Sequence, residues 1–367
     1  MPELVACLLP GGTEFVDELQ RVWDAGDALL PVDRRLPAEA QQRLIEGMGA
    51  TVVVDASGAR SRRDGRPVEA GDALVVATSG STGAPKGVVL THEAVRANAE
   101  ATSEFLEVDP STDRWLSCLP LSHVGGLSVV FRALHTGTPL EVHGAFDAEA
   151  AMDAARRGVT LASFVPTAMQ RVDASLFRKI LVGGSAIPAD RPPNAVATYG
   201  MTETGSGVVY DHLPLRDVEV RVVDGELQLR CPMLLRCYRD GSDPRTPDGW
   251  FPTGDAGAFE DGRVQVFGRR GDMIITGGEN VWPVAVEKAL AEVSTIAECV
   301  VVGRPDAEWG QIVTAVVVPA AGTDGPILEE LRDQVKQQLP AFCAPRALEL
   351  VDRLPINAMG KIRRHEV

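Results

Sequence analysis

The sequence lacks the marks of several large protein classes. No apolar run approaches the roughly 20 residues needed to cross a bilayer, and the N-terminus has no basic stretch of the kind that opens a signal peptide. A cytoplasmic home is therefore expected. The six cysteines, Cys7, Cys118, Cys231, Cys237, Cys299 and Cys343, are scattered without CxxC spacing, which speaks against zinc and against a disulfide framework. Positive charge is in deficit: 36 Lys and Arg face 51 Asp and Glu, for a formal net charge of −15. Such a balance argues against nucleic acid or an anionic membrane as partner, although local cations and backbone amides can still hold a small anion. There is no internal repeat, low-complexity tract or long charge block. At 367 residues, 45% of them hydrophobic, the chain can bury a large core and has room for about two or three domains.

The most informative stretch is Thr78-Ser79-Gly80-Ser81-Thr82-Gly83-Ala84-Pro85-Lys86-Gly87. It follows the apolar run Leu74 to Ala77 and precedes Val88 to Leu90, which reads as strand, loop, strand. Its glycines let the backbone approach an anion, its hydroxyls donate to phosphate oxygens, and Lys86 adds a positive charge. This is a nucleotide-phosphate loop, and it departs from the Walker A pattern because Pro85 precedes the lysine and Gly87 follows it.

Four further segments follow in series: Tyr199-Gly200-Met201-Thr202-Glu203-Thr204, Thr253-Gly254-Asp255, Gly268-Arg269, and Leu354-Pro355-Ile356-Asn357-Ala358-Met359-Gly360-Lys361-Ile362. Together with the loop they resemble the signature motifs of the adenylate-forming superfamily of acyl-CoA synthetases, adenylation domains and luciferase-like enzymes. Trp23 to Gly26 and Leu29 to Asp33 resemble a segment that lies well inside that family's N-terminal domain, so the chain is expected to start late.

The pattern predicts an α/β protein. Short apolar runs at 115–119, 140–142, 161–165, 179–182 and 195–198 alternate with helical patterns, as parallel strands covered by helices do. Helices are expected from Leu36 to Gly49 and after Thr91. From Val218 the period becomes two, with hairpin signals at Asp224-Gly225 and Asp261-Gly262, predicting a small antiparallel, barrel-like portion. A boundary near 269–272 leaves a large domain over 1–269 and a small, mobile α+β domain over 272–367 with the order α, β, β, α, β.

The resemblance implies ATP, Mg²⁺ and coenzyme A as co-substrates and cofactor, and assigns roles. Thr78, Ser79, Gly80, Ser81, Thr82, Gly83 and Lys86 would hold phosphate. Tyr199 would lie beside the adenine, with Gly200 and Met201 also at the ATP site, Thr202 on the α-phosphate and Glu203 on Mg²⁺. Asp255 and Arg269 would take the ribose, and Lys361 would bridge the substrate carboxylate and the nucleotide. Gly277, Gly278 and Glu279 would line a coenzyme A tunnel after the small domain turns about a hinge. Gly271 stands where the family commonly has an acidic residue or a lysine, with Asp272 able to share the role.

Leu119-Pro120-Leu121-Ser122-His123-Val124-Gly125-Gly126-Leu127 resembles the segment beside the acyl site, in a version most similar to the ligases that activate o-succinylbenzoate in menaquinone synthesis. His123 would face the acid, with Ser163, Thr167, Gly183, Gly184 and Ser185 as further walls. Other aryl or medium-chain acyl-CoA synthetases, a stand-alone adenylation enzyme and a non-catalytic adenylate-binding relative stay open, as does a homodimer.

Overall fold

The computed structural model describes residues 1–78, 86–184, 187, 190–355 and 362–367. Two compact units divide the chain: Met1–Val220 with Leu229–Phe251, and Arg221–Gln228 with Pro252–Val367.

In the first unit the short apolar runs pair as the pattern predicts. One seven-stranded sheet runs in the order Cys237–Tyr238, Lys86–Thr91, Asp72–Thr78, Ala28–Pro31, Leu4–Cys7, Val52–Asp55, Gly58–Ser61. Its central strands are parallel. Alternation of side chains sends Leu4 and Ala6 to one face, with Leu44, Ile45 and Met48 of the helix Ala38–Met48. Val5 and Cys7 go to the other, where the helices Thr13–Asp24, His92–Phe105 and Val124–Thr136 pack. The last two also pack on each other, and Val124–Thr136 reaches strands of a second sheet. That sheet runs Leu213–Pro214, Gly207–Tyr210, Ala195–Gly200, Lys179–Val182, Leu161–Phe164, Trp115–Ser117, Leu140–Val142, and it too is parallel at its centre.

Local chemistry sets the element ends. The helix Ala38–Met48 stops at Gly49, whose φ of 64° is a left-handed C-cap. His92–Phe105 starts where the Thr91 hydroxyl accepts from Ala94 N at 3.1 Å. The six cysteines are free thiols, and burial pushes Cys7 and Cys118 up to about 12, so neither is reactive near neutral pH.

The second unit carries a four-stranded sheet with the order Glu219–Val223, Glu226–Arg230, Phe251–Glu260, Arg263–Arg269. Both expected hairpin turns form, with positive φ at Asp224 and Gly225 and at Asp261 and Gly262. Beyond it lie the helix Pro283–Leu290, the strands Ile296–Asp306 and Gly310–Pro319, the helix Leu328–Gln338 and the strand Ala347–Leu350. That is the expected α, β, β, α, β order, extended by a hairpin of Ile274–Thr276 and Glu279–Val281. No helix among the described residues is long and apolar enough to cross a membrane.

Two glycines offer a direct check on packing. A Cβ at Gly87 would stand 2.5 Å from Met48 Sδ and 2.8 Å from Arg239 Cβ, whereas one at Gly47, inside a helix, would meet nothing within 4 Å. Gly87→Ala should destabilise by about 1–3 kcal/mol, and Gly47→Ala should stabilise by about 0.4–1 kcal/mol. Urea unfolding of the two variants beside the parent measures both signs.

Candidate active site

The strand Asp72–Thr78 and the strand Lys86–Thr91 are antiparallel, with Thr78 opposite Lys86. The two ends of the phosphate loop are thereby held together; Ser79, Gly80, Ser81, Thr82 and Gly83 lie outside the described residues. Lys86 is exposed, and its Nζ sits 5.0 Å from the centre of the Tyr238 ring.

Tyr199 and Gly200 end the strand Ala195–Gly200, and Thr202–Thr204 form a single 3₁₀ turn. The turn is fixed from inside: Met201 N donates to Thr204 Oγ1 at 3.0 Å, and that hydroxyl lies 2.6 Å from Ser206 O. Gly200 has to be glycine, since a Cβ there would come within 2.1 Å of Ser206 O. Glu203 is half-buried, and the Tyr238 hydroxyl donates to its Oε1 at 2.9 Å. No cluster of three or more His, Cys, Asp or Glu able to hold a metal occurs among the described residues. A lone carboxylate is nevertheless the right donor for a magnesium ion, which keeps water and substrate phosphate oxygens for most of its shell.

The acyl-site candidates gather after neighbouring strand ends. Leu161–Phe164, Lys179–Val182 and Ala195–Gly200 are parallel and adjacent, so Ser163, Thr167, Gly183, Gly184, Tyr199 and Thr202 all lie at or just beyond carboxyl ends on one edge of one sheet. That edge is where open α/β sheets bind ligands. Ser163 is buried and Thr167 exposed. At Gly183 a Cβ would meet Thr198 Oγ1 at 2.3 Å, and Gly184 has a φ of 89°. Ser185 lies outside the described residues.

His123 is the N-cap residue of Val124–Thr136. Its Nε2 is buried, has no hydrogen-bond partner among the described residues, and stands 3.7 Å from Asp33 Oδ2. Arg35 clasps Asp33 through Nη2 at 2.7 Å and Nε at 2.9 Å, holding that carboxyl below its usual range. Burial lowers the His123 pKa, and Asp33 opposes the shift only in part. The imidazole is therefore neutral at pH 7.

Arg132 belongs to none of the sequence motifs. It is 1% exposed, in the same helix as the segment after His123. Its Nη2 donates to Ser206 Oγ at 2.7 Å, Asn98 Oδ1 at 3.2 Å and Tyr210 O–H at 3.3 Å. Its Nε has no hydrogen-bond partner among the described residues. All these partners are neutral, and burial pushes the guanidinium pKa down. A signal existed: an arginine inside the apolar run Leu127 to Leu134.

In the second unit Asp255 and Arg269 face each other across the hairpin, Arg269 Nε 3.1 Å from Asp255 Oδ1. Arg269 Nη1 also donates to Thr253 O at 2.7 Å, and Asp255 N to Thr253 Oγ1 at 3.0 Å. The two residues are thus brought together, with the carboxylate buried. Gly277 and Gly278 turn the hairpin with φ of 58° and 86°, and Glu279 is exposed. Gly271 lies in the 3₁₀ turn Arg270–Asp272, where a Cβ would meet nothing within 4 Å. Lys361 is outside the described residues. Close by in sequence, Arg363 N donates to Pro355 O at 2.8 Å, and Arg364 binds Glu287 Oε1 at 2.6 Å.

Comparison with known proteins places this geometry in a family. The model of the AMP-binding enzymes matches residues 57–232, and that of the AMP-binding enzyme C-terminal domain matches 285–361. A probable 2-succinylbenzoate–CoA ligase of Mycobacterium tuberculosis is 36% identical over 331 residues, 82% of this chain and 85% of its own length. The chain is an AMP-binding enzyme. A feruloyl-CoA synthase from an Amycolatopsis species is 31% identical over 99% of this chain and 88% of its own. The o-succinylbenzoate CoA synthetase MenE of Bacillus subtilis, solved with its acyl-adenylate intermediate, superposes with a TM-score of 0.87 at 26% identity, covering 99% of this chain and 87% of that one. The same Bacillus subtilis synthetase has been solved with ATP and a magnesium ion, with a TM-score of 0.86 at 26% identity over 99% of this chain and 89% of that one.

The lowered His123 pKa gives a pH test. A histidine that titrates lower folded than unfolded leaves stability intact above its ordinary value of 6.5, and stability is lost as pH falls through that value. Between pH 7 and pH 5 the parent should lose more stability than His123→Gln in chemical denaturation. Equal slopes would contradict the buried neutral ring.

Proposed function

We propose that this AMP-binding enzyme is an ATP-dependent acid–CoA ligase whose acid is o-succinylbenzoate. The substrate carboxylate attacks the α-phosphorus of ATP, pyrophosphate leaves, and the thiol of coenzyme A then displaces AMP from the mixed anhydride to give the thioester. In the first step two anions must meet, so the enzyme has to supply positive charge and oriented donors. Lys86 and the hydroxyls from Thr78 to Thr82 hold the leaving phosphates, Thr202 donates to the α-phosphate, and Lys361 bridges carboxylate and nucleotide. Glu203 would hold the magnesium ion, which supplies charge neutralisation on the phosphates when bound. Asp255 accepts from the ribose hydroxyls, with Arg269 beside it.

The second step takes place after the 272–367 domain turns about Gly271, with Gly277, Gly278 and Glu279 lining the coenzyme A route. Among the described residues nothing packs where a Gly271 side chain would stand, and the conformational freedom of glycine suits a hinge there. A cytoplasmic setting suits a reaction that draws on ATP and coenzyme A.

The observation that carries the choice of acid is Arg132. A fully buried guanidinium with only neutral partners among the described residues is a costly arrangement unless an anion completes it. An acid with a second carboxylate supplies that anion. His123, with a neutral ring, contributes a hydrogen bond and shape rather than charge. The relatives named for 2-succinylbenzoate support this reading. The feruloyl-CoA synthase relative favours, as a second reading, another aryl acid.

Pyrophosphate exchange and CoA-thioester formation with a panel of acids test the proposal. With o-succinylbenzoate kcat/KM should exceed that with benzoate, ferulate or decanoate by ~100-fold or more. Arg132→Met should narrow that preference by about tenfold or more while changing ATP affinity little. A panel led by ferulate or benzoate would overturn the acid and leave the ligase class standing.

A further inference from the structure

The segment 235–239 is a clasp between the two places that handle the triphosphate. Cys237–Tyr238 adds to the sheet edge beside Lys86–Thr91, with Tyr238 opposite Val88. Arg236 N donates to Val89 O at 2.9 Å and Arg239 N to Gly87 O at 2.7 Å, so Tyr238 is tied on both sides to the strand that Lys86 begins. One residue further back, Leu235 N donates to Glu203 O at 2.7 Å. Arg239 anchors the clasp from behind, its buried guanidinium donating to Met48 O at 2.9 Å and Pro67 O at 3.0 Å.

From this fixed backbone the half-buried Tyr238 side chain reaches both functional groups. Its hydroxyl donates to Glu203 Oε1 at 2.9 Å, and the Lys86 ammonium lies 5.0 Å from the centre of its ring. A phenol suits this position, because its O–H answers the carboxylate while its π face attracts the cation. Each charge is held in place without being cancelled by the other. An aliphatic residue here would do neither, and phenylalanine would do only the second.

We infer that Tyr238 is a positioning residue for adenylation: its hydroxyl aims the Glu203 carboxylate and its ring seats Lys86, so that the metal side and the phosphate side of the triphosphate meet groups at a fixed spacing. The inference rests on the reading of Glu203 as the magnesium ligand and Lys86 as a phosphate contact. Tyr238 acts through these two and touches no reacting atom.

The test compares Tyr238→Phe with Tyr238→Leu by equilibrium binding of ATP, with magnesium and with a chelator, beside the two half-reactions. Tyr238→Phe should bind ATP as the parent does without magnesium, and lose about tenfold of the affinity that magnesium adds, the usual scale for one hydrogen bond to a charged group. Tyr238→Leu should in addition weaken metal-free ATP binding by about threefold, from loss of the contact with Lys86. Thioester formation from supplied acyl-adenylate should stay within about twofold of the parent in both variants. A Tyr238→Phe enzyme with the parent's magnesium dependence would overturn the proposal. So would equal losses in both half-reactions, which mark a structural role. If magnesium leaves ATP binding unchanged even in the parent, the Glu203 assignment falls and takes this inference with it.

Discussion

The parallel register of Leu161–Phe164, Lys179–Val182 and Ala195–Gly200 is the constraint on which the first unit's site depends. Parallel strands can bring their carboxyl ends level only when crossover segments return the chain to the same starting edge. Here they do, and residues from Ser163 to Glu203 that are distant in sequence come to lie along one rim. The close contacts beyond the rim explain its glycines. Gly183 and Gly200 each stand where a methyl group would strike a hydroxyl or a carbonyl. The glycines of these motifs therefore serve packing against the neighbouring chain as much as approach to a ligand.

A buried polar network lies behind the rim. Asn98 Nδ2 donates to Gly207 O at 3.0 Å, Thr102 and Tyr210 share a hydrogen bond at 3.0 Å, and Arg132 joins them to Ser206. Such a network is specific because each member is costly to leave unpaired in a low dielectric. It links the helix that follows His123 to the loop that follows Glu203. The Arg132 Nε, without a partner among the described residues, is the exception within it.

Much of this was legible in the sequence because it is local. The positions of the strands, though not all of their ends, the Thr91 cap, the two Asp-Gly turns and the α, β, β, α, β order follow from neighbouring residues or short periods. The Asp255 and Arg269 pair was legible as motif, since one hairpin joins the two. Tyr238, Arg132 and the Asp33–Arg35 clasp beside His123 were not. Tyr238 meets Glu203 across 35 residues and Arg132 meets Ser206 across 74, and only the folded register makes those pairs. Each looked ordinary in its own segment: a tyrosine near a loop, an arginine on a helix, an aspartate after a strand.

The central claim is that the chain makes an acyl-adenylate and passes it to a thiol. The most direct measurement is a rapid quench with ATP labelled at the α-phosphorus and o-succinylbenzoate, first without coenzyme A and then with it. The account predicts labelled o-succinylbenzoyl-adenylate bound to the enzyme, converted to labelled AMP and the CoA thioester once coenzyme A is added. Labelled ADP as the product, or thioester formed with no labelled adenylate before it, would contradict the account.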